Sequence, residues 1–247
     1  MSGQKPIVRR ATLEDLDQIG AWLKAEYDET RQGFYVNWRA ICEMQADGGV
    51  YVVVDEGACV AFLANSLTSH DIAEVRPNCR GRGYGRVIAD TMVAQSKEWG
   101  LNVIQITCAP ETSVNFWSRM GFTPVPERQG HGIYAYREIE RPVKPSRGKQ
   151  IPFKVQFFGE RDFYNKKPAF RIYEGEGSLR PSGILDLPQR AICFDPTSAY
   201  QYDAFVIIEV DGQRLIAEKC KRDAAEALGL TQDKGGIWYI DSIRLPS

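Results

Sequence analysis

Residues 80–86, with the sequence Arg-Gly-Arg-Gly-Tyr-Gly-Arg, combine the residue types that bind phosphate groups. Glycine has no Cβ, so the backbone N–H groups of such a loop can approach an anion closely. The loop lies between a predicted strand and a predicted helix, and a helix N-terminus carries about half a positive charge. The pattern therefore predicts a pyrophosphate site. Its predicted ligands are Arg80, Gly81, Arg82, Gly83, Tyr84, Gly85 and Arg86.

The N-terminal elements are predicted from hydrophobic periodicity. Residues 6–10 are typical of a short strand, and Thr12 is a helix N-cap with Asp15 in a variant of the capping box. Apolar residues at spacings of three and four give this helix one buried stripe and carry it to about residue 26. The stripe consists of Leu13, Leu16, Ile19 and Leu23. A second helix is predicted around residues 38–44 and ends before two glycines.

The next elements surround the glycine-rich loop. Residues 50–55 and 59–67 are predicted to form a hairpin, because two β-rich runs flank a short turn that contains glycine. A short strand at 71–76 leads into the loop, and a helix at 86–99 follows it. The remaining elements are a strand at 103–107, a helix at 112–120 and a strand at 133–137.

A break in this pattern predicts two domains. Two prolines, a serine and a glycine interrupt residues 142–148, and such stretches are typical of domain boundaries. We therefore predict one domain over residues 1–143 and a smaller, strand-rich domain over residues 150–247. The second domain has one short predicted helix, at about 222–228. Its predicted strands are 153–158, 170–173, 191–194, 204–210 and 237–240.

The first domain resembles the GNAT superfamily of acetyl-CoA-dependent N-acetyltransferases. Its loop is similar to the family's cofactor motif Gln/Arg-x-x-Gly-x-Gly/Ala, which Arg80, Gly83 and Gly85 match. A second similarity is the aromatic pair before a Gly-Phe in residues 115–122, Asn-Phe-Trp-Ser-Arg-Met-Gly-Phe. The resemblance covers residues 6–140. A dinucleotide-binding fold is disfavoured, because a hairpin precedes the loop and the loop lies deep in the chain.

The resemblance implies an α/β (α+β) fold. A mixed, mostly antiparallel sheet would have helices on both faces and one splayed pair of parallel strands, at 71–76 and 103–107. Acetyl-CoA would lie in the gap between that pair, as the acetyl donor. The backbone at Glu74 and Val75 would pair with its pantetheine amides, the loop would hold its pyrophosphate, and Asn115 and Trp117 would lie near it.

Transfer of an acetyl group to an amine requires a proton acceptor. The family's bases often lie on the strand before the loop, where Glu74 and Asp71 occupy opposite faces because side chains alternate along a strand. His70 is close in sequence, and its ordinary pKa suits proton transfer at neutral pH. We rank Glu74 first, Asp71 second and His70 third, and each of them is also compatible with a solvated turn.

The departing thiolate benefits from a proton donor. The family often places a tyrosine four residues before the glycine of the Gly-Phe pair, but Trp117 stands there, and an indole N–H is not a useful acid. Tyr84 and Ser118 are alternative donors, unless the thiolate leaves unassisted. Cys79 and Cys108 are interpreted as packing thiols, because the resemblance implies direct attack by the amine without an acyl-enzyme.

The acceptor is expected to contact the first two helices and their connection. Acidic and aromatic side chains there suit a cationic amine, and equally suit an exposed helix end. These residues are Glu26, Tyr27, Asp28, Glu29, Phe34 and Tyr35.

Composition narrows the class of protein. The 247 residues include six cysteines without metal-ligand spacing and only two histidines, so we expect no metal site. No apolar run is long enough to cross a bilayer and no signal sequence is recognised, which predicts a cytosolic location without membrane contact. Residues 141–171 carry nine basic and two acidic residues, as a solvated linker or as a contact for nucleic acid.

Three functions remain open at this point. The first is acetyl transfer to an unidentified primary amine. The second is a GNAT-type transferase that acts on tRNA or a DNA base and uses the basic segment 141–171. The third is a CoA-binding module without activity. The oligomeric state is left open by the sequence.

Overall fold

A computed structural model describes residues 5–65, 72–126, 128, 132–141, 147–198 and 203–246. The described part divides into two compact units, Met1–Glu98 and Trp99–Ser247. The first unit holds the glycine-rich loop and the elements before it. The second unit joins the end of the region that resembles the GNAT superfamily to the C-terminal strands.

The first unit is built on a four-stranded antiparallel sheet with strand order β1-β2-β3-β4. Its strands are β1 Ile7–Arg10, β2 Val50–Asp55, β3 Ala58–Ala64 and β4 Ile72–Val75. The predicted hairpin is confirmed, and its turn places Glu56 and Gly57 at φ values of 49° and 79°, as a two-residue hairpin turn requires. The strand before the loop, β4, is an edge strand of this sheet.

Three helices complete the first unit: α1 Leu13–Thr30, α2 Trp38–Ala46 and α3 Tyr84–Trp99. The predicted capping box is present, because the Thr12 hydroxyl accepts from the Asp15 N–H while the Asp15 carboxylate accepts from the Thr12 N–H. The apolar stripe of α1 packs with α2 on Phe62 and its neighbours on one face of the sheet from Leu16 onward, whereas Leu13, predicted as its first member, is 76 % exposed. From α3, Gln95 accepts a hydrogen bond from the buried Asn65 amide at the end of β3.

The second unit begins with a three-stranded antiparallel sheet of order β5-β7-β6. Its elements are β5 Val103–Cys108, α4 Val114–Arg119, β6 Thr123–Val125 and β7 Ile133–Glu138. The sequence does not predict strand β6, since it has three residues and a central proline, which argues against a strand assignment. Strand β5 is an edge strand of this sheet.

The rest of the second unit is a seven-stranded antiparallel sheet of order β12-β11-β8-β9-β10-β14-β13. Its strands are β8 Lys149–Gly159, β9 Arg171–Leu179, β10 Ile184–Ile192, β11 Ala204–Val210, β12 Gln213–Lys219, β13 Thr231–Gln232 and β14 Trp238–Arg244. This region has two short helices: α6 Asp223–Ala227 confirms the predicted helix, whereas α5 Glu160–Tyr164 is not predicted by the sequence. The strand-rich character of this region is confirmed.

Within the second unit, polar contacts join residue 102 to the C-terminal sheet. The Asn102 N–H donates to the Asp233 carboxylate at 2.7 Å, and the Asn102 side-chain oxygen accepts from Arg190 Nη1 at 2.7 Å. Arg190 also forms a two-pronged ion pair with Asp241. A small buried cluster extends this contact. Its members are Val103, Ile192, Phe194 and Ile237, with Tyr136 and Tyr239 packed against them.

These contacts predict that residues 99–140 depend on the C-terminal sheet for stability. A chain that ends at residue 143 would lose the cover of Val103 and Tyr136 and both side-chain partners of Asn102. We expect a loss on the order of 3–6 kcal/mol in the free energy of unfolding, and a Tm lower by about 10 °C or more. Calorimetry checks this. A 1–143 chain that melts within about 3 °C of the full chain would contradict it.

The boundary predicted at 141–150 stays a prediction, with residues 142–146 outside the described part.

Candidate active site

The glycine-rich loop presents free backbone donors. Gly81 and Gly83 have φ values of 81° and 91°, which residues with a side chain rarely adopt, and open space surrounds the position that a Cβ would take at each. The N–H groups of residues 81–85 donate to no other described residue, and the first bonded amide is that of Arg86. Such a row of N–H groups at the start of α3 is the arrangement that binds an anion.

All three arginines of the loop are exposed to solvent, and two of them have no close ion pair among the described residues. These are Arg82 and Arg86, and Arg86 lies 3.8 Å from Asp90, a separation at which an exposed pair contributes little. Both cations are therefore able to turn toward a phosphate at the loop.

The third arginine, Arg80, lies against carboxylates. Its Nη2 donates to Glu26 at 2.7 Å and to Glu74 at 3.0 Å, and its Nε donates to the Val75 carbonyl oxygen at 3.0 Å. The predicted phosphate ligand thus also holds two side chains from α1 and β4.

Glu26 and Glu74 form a buried carboxyl pair. Their side chains are 11 % and 9 % exposed. One oxygen of each carboxyl, Oε1, accepts a hydrogen bond from Arg80. The other oxygen of each, Oε2, is buried and has no hydrogen-bond donor if both carboxyls are ionised. A proton on one carboxyl would give these oxygens a hydrogen bond, because the protonated carboxyl can donate to the ionised one.

This environment raises the pKa of Glu74 to about 8. The largest cause is burial, followed by the hydrogen bond to Glu26 and the charge of Glu26; Arg80 and the N–H of Phe34 act in the opposite direction. A carboxyl group of this kind titrates close to neutral pH, where a general base is most effective. Glu74 therefore has the properties of a proton acceptor for an amine.

Comparison with known families decides which fold this is. Residues 11–122 match the acetyltransferase (GNAT) family. The chain contains a GNAT acetyltransferase domain. The resemblance inferred from the loop and from the aromatic pair is confirmed over these residues, and no curated protein has a significant sequence match to the chain.

Solved structures similar to the GNAT domain cover just over half of the chain. An N-acetyltransferase from Staphylococcus aureus Mu50 has 15 % identity over 56 % of this chain and 100 % of its own, with a TM-score of 0.43. A phosphinothricin acetyltransferase from Sinorhizobium meliloti, solved with acetyl-CoA, has 19 % identity over 59 % and 95 %, with a TM-score of 0.43. A PaiA N-acetyltransferase from Thermoplasma acidophilum, solved with CoA, has 12 % identity over 55 % and 99 %, with a TM-score of 0.43.

Tyr84, a candidate acid of the GNAT domain, is the first residue of α3 and is buried. Its hydroxyl donates to the Asp55 carboxylate at the end of β2. This hydrogen bond, with a smaller effect of burial, raises the pKa of Tyr84. In this arrangement its proton is held by Asp55, so donation to a thiolate requires the hydroxyl to turn.

Trp117 is half-buried in α4. Its ring forms edge contacts with the rings of Phe116 and Phe122, with ring centroids 5.0 and 5.1 Å apart. Gly121 ends the helix with φ 83°, and Phe122 beyond it is buried. Asn115 is exposed on the same helix. The aromatic pair of the GNAT motif thus forms a small packed cluster in the second unit.

The other candidates fall into two groups. Cys79 and Cys108 are buried, and burial raises the pKa of the Cys108 thiol, which suits the packing role expected of it. His70 and Asp71 lie outside the described residues.

Among the described residues, no cluster of three or more histidine, cysteine or acidic side chains could hold a metal ion. No described helix is long and apolar enough to cross a membrane.

The residues expected to contact the acceptor are only partly exposed. The rings of Tyr27 and Tyr35 lie 6.0 Å apart, and Asp28 pairs with Lys24 at 2.5 Å. Glu26 differs from its acidic neighbours, since it points to Glu74. Its position in the sequence indicates this orientation. Glu26 follows Leu23 by three residues and so continues the apolar stripe of α1, which places its carboxyl on the face toward the core.

Proposed function

We propose that the protein transfers the acetyl group of acetyl-CoA to a primary amine by direct attack. The observation that carries this proposal is the nearly buried Glu74 carboxyl on β4, beside the glycine-rich loop, which shares Arg80 with Glu26. The unbonded amides of residues 81–85 and the exposed Arg82 and Arg86 suit a pyrophosphate. The open edge of β4 suits an amide-bearing arm alongside Glu74 and Val75.

Acetyl-CoA supplies the acetyl group as a thioester when it is bound. Glu74 accepts a proton from the amine, directly or through one water, so that the nitrogen lone pair is free to attack. The rate should rise as pH rises through about 8, because the carboxyl must be ionised to accept a proton. The cytosolic location stays a prediction from the sequence.

Two other functions were left open by the sequence. The basic segment 141–171 is partly neutralised: Lys154 pairs with Glu174 at 3.1 Å, Lys167 with Asp162 at 2.9 Å, and Arg171 with Glu138. This weakens the proposal of a nucleic-acid acceptor, since paired cations attract phosphates less strongly. A buried carboxyl with a pKa near 8 has no evident use in a module that only binds CoA.

A broad amine screen tests the proposed function. Purified full-length protein is mixed with acetyl-CoA and with amino acids, polyamines, aminoglycosides, peptides and tRNA in turn, and the release of free CoA thiol is followed. We expect at least one small amine or peptide to release thiol well above the rate of hydrolysis. Turnover with tRNA alone would favour the nucleic-acid function, and no turnover with any class would favour the binding module.

A further inference from the structure

We propose that Glu26 is a positioning residue for Glu74: the two carboxyl groups hold one proton between them, and Arg80 balances the charge that remains. This rests on the proposed function only for its consequence in catalysis. The proton sharing itself is a property of the folded chain without any ligand.

The argument begins with the four carboxylate oxygens. Glu26 Oε1 and Glu74 Oε1 lie 2.7 and 3.0 Å from the same Arg80 Nη2. The two Oε2 atoms are buried and have no donor among the described residues. Two buried carboxylates that share one arginine nitrogen repel each other unless a proton lies on one of them.

The surroundings of the pair supply little further charge. From the connection after α1, the backbone of Phe34 lowers the pKa of Glu74, and a Cβ at Gly33 would lie 3.6 Å from Glu26 Oε2 and 3.7 Å from Glu74 Oε1. From β3, the residue paired with Glu74 is Phe62.

Several charged and titratable side chains of α1 and of the connection after it contact one another. The Arg31 guanidinium lies 5.6 Å from the Tyr27 ring, Tyr27 packs on Tyr35, and Lys24 pairs with Asp28.

A count of charges shows why one proton is favoured. With both carboxyls ionised, the cluster of Glu26, Glu74 and Arg80 has one net negative charge, and the two carboxyls are its buried part, because the Arg80 side chain is 50 % exposed. With one proton it is neutral, and burial favours the neutral form. The fully ionised pair is therefore a stronger proton acceptor than an isolated glutamate.

In the reaction, one N–H bond of the amine breaks and one O–H bond forms on the carboxyl pair. The electron pair of the N–H bond stays on nitrogen, and the cluster returns to its neutral form. Glu26 does not touch the amine in this scheme. It sets the pH at which Glu74 gains or loses its proton.

Glu26→Gln is the matching variant. The introduced amide keeps the shape of the side chain, removes the competing negative charge and offers an N–H donor to Glu74, so Glu74 should ionise at lower pH. Glu29→Gln is the control, because it makes the same change of charge on an exposed position of α1. Thermal unfolding of each variant shows whether the fold is kept.

The decisive measurement is ¹³C NMR of glutamate carboxyl carbons in ligand-free, full-length protein titrated from pH 4 to 10. We expect one carboxyl signal of the wild type to titrate near pH 8, to vanish in Glu74→Gln, and to move down by about 1–3 pH units in Glu26→Gln. Glu29→Gln should leave it in place. No signal titrating above pH 6, or no shift in folded Glu26→Gln, would overturn the proposal.

The same variant separates this inference from the proposed function. If an acceptor is found, the midpoint of the pH–rate profile should move down in Glu26→Gln by the shift that NMR shows. If no acceptor is found but the signal behaves as described, the proton sharing stands and the acetyl transfer fails. If turnover is normal while the signal and the midpoint do not move, the acetyl transfer stands and the role of Glu26 fails.

Discussion

Glu74→Gln is expected to slow acetyl transfer by about 10²–10⁴-fold, the range that general bases contribute. The change keeps the shape of the side chain and removes the group that accepts the proton. Acetyl-CoA affinity should hardly change, because the backbone of β4 and not this carboxyl is expected to meet the pantetheine arm. The rise in rate through about pH 8 should also disappear, since the group that titrates there is gone.

Asp71→Asn provides the comparison for this result, because Asp71 is the second-ranked base. Steady-state rates of both variants are measured with saturating acetyl-CoA across the pH range. A large loss in Asp71→Asn together with a near-normal Glu74→Gln would reverse the ranking. Near-normal rates in both would point to His70, or to bulk water as the proton acceptor.

Gly83→Trp is expected to abolish the binding of acetyl-CoA. Gly83 has φ 91°, and the space beside it is open in the ligand-free chain, so an indole there would fill the volume that a phosphate needs. The measurement is the rise in Tm with acetyl-CoA. In the wild type, ligand at 100 times its Kd stabilises by about 2.7 kcal/mol, and the variant should show no rise.

Gly57→Trp is a matched control for strain. Gly57 also has positive φ, 79°, and open space around its Cβ position, but it lies in the β2–β3 turn. Both variants should lower the Tm of the free protein, whereas only Gly83→Trp should lose the response to acetyl-CoA. A normal response in Gly83→Trp would show that the phosphates bind elsewhere.

Local signals predict much of the fold. Thr12 and Asp15 mark the start of α1 because a capping box is a contact between neighbours in sequence. The glycines of the loop show where amides are free, since that too is a local property of the backbone. Strand β12 escapes prediction because it is polar and half-exposed, although the Asp211-Gly212 turn before it, with φ values of 52° and 74°, is a hairpin signal.

The carboxyl pair shows where sequence reasoning stops. Glu74 ranks first as a base from its place before the loop, but its partner Glu26 comes from a helix far earlier in the chain. Whether two such side chains meet depends on how α1 packs on the sheet, which no local pattern specifies. The position of Arg80 between them is equally a product of packing, because an arginine in a phosphate motif is expected to face the ligand.

The contact between Asn102 and Asp233 has a consequence for synthesis on the ribosome. The two residues are 131 positions apart. At roughly 5–20 residues per second, β5 is made about 7–26 seconds before the carboxylate that binds its leading amide. The first compact unit, which ends at residue 98, is complete by then, but Val103 of β5 still lacks Ile192, Phe194 and Ile237. During translation the Asn102 amide and the Val103 side chain therefore wait for these C-terminal partners.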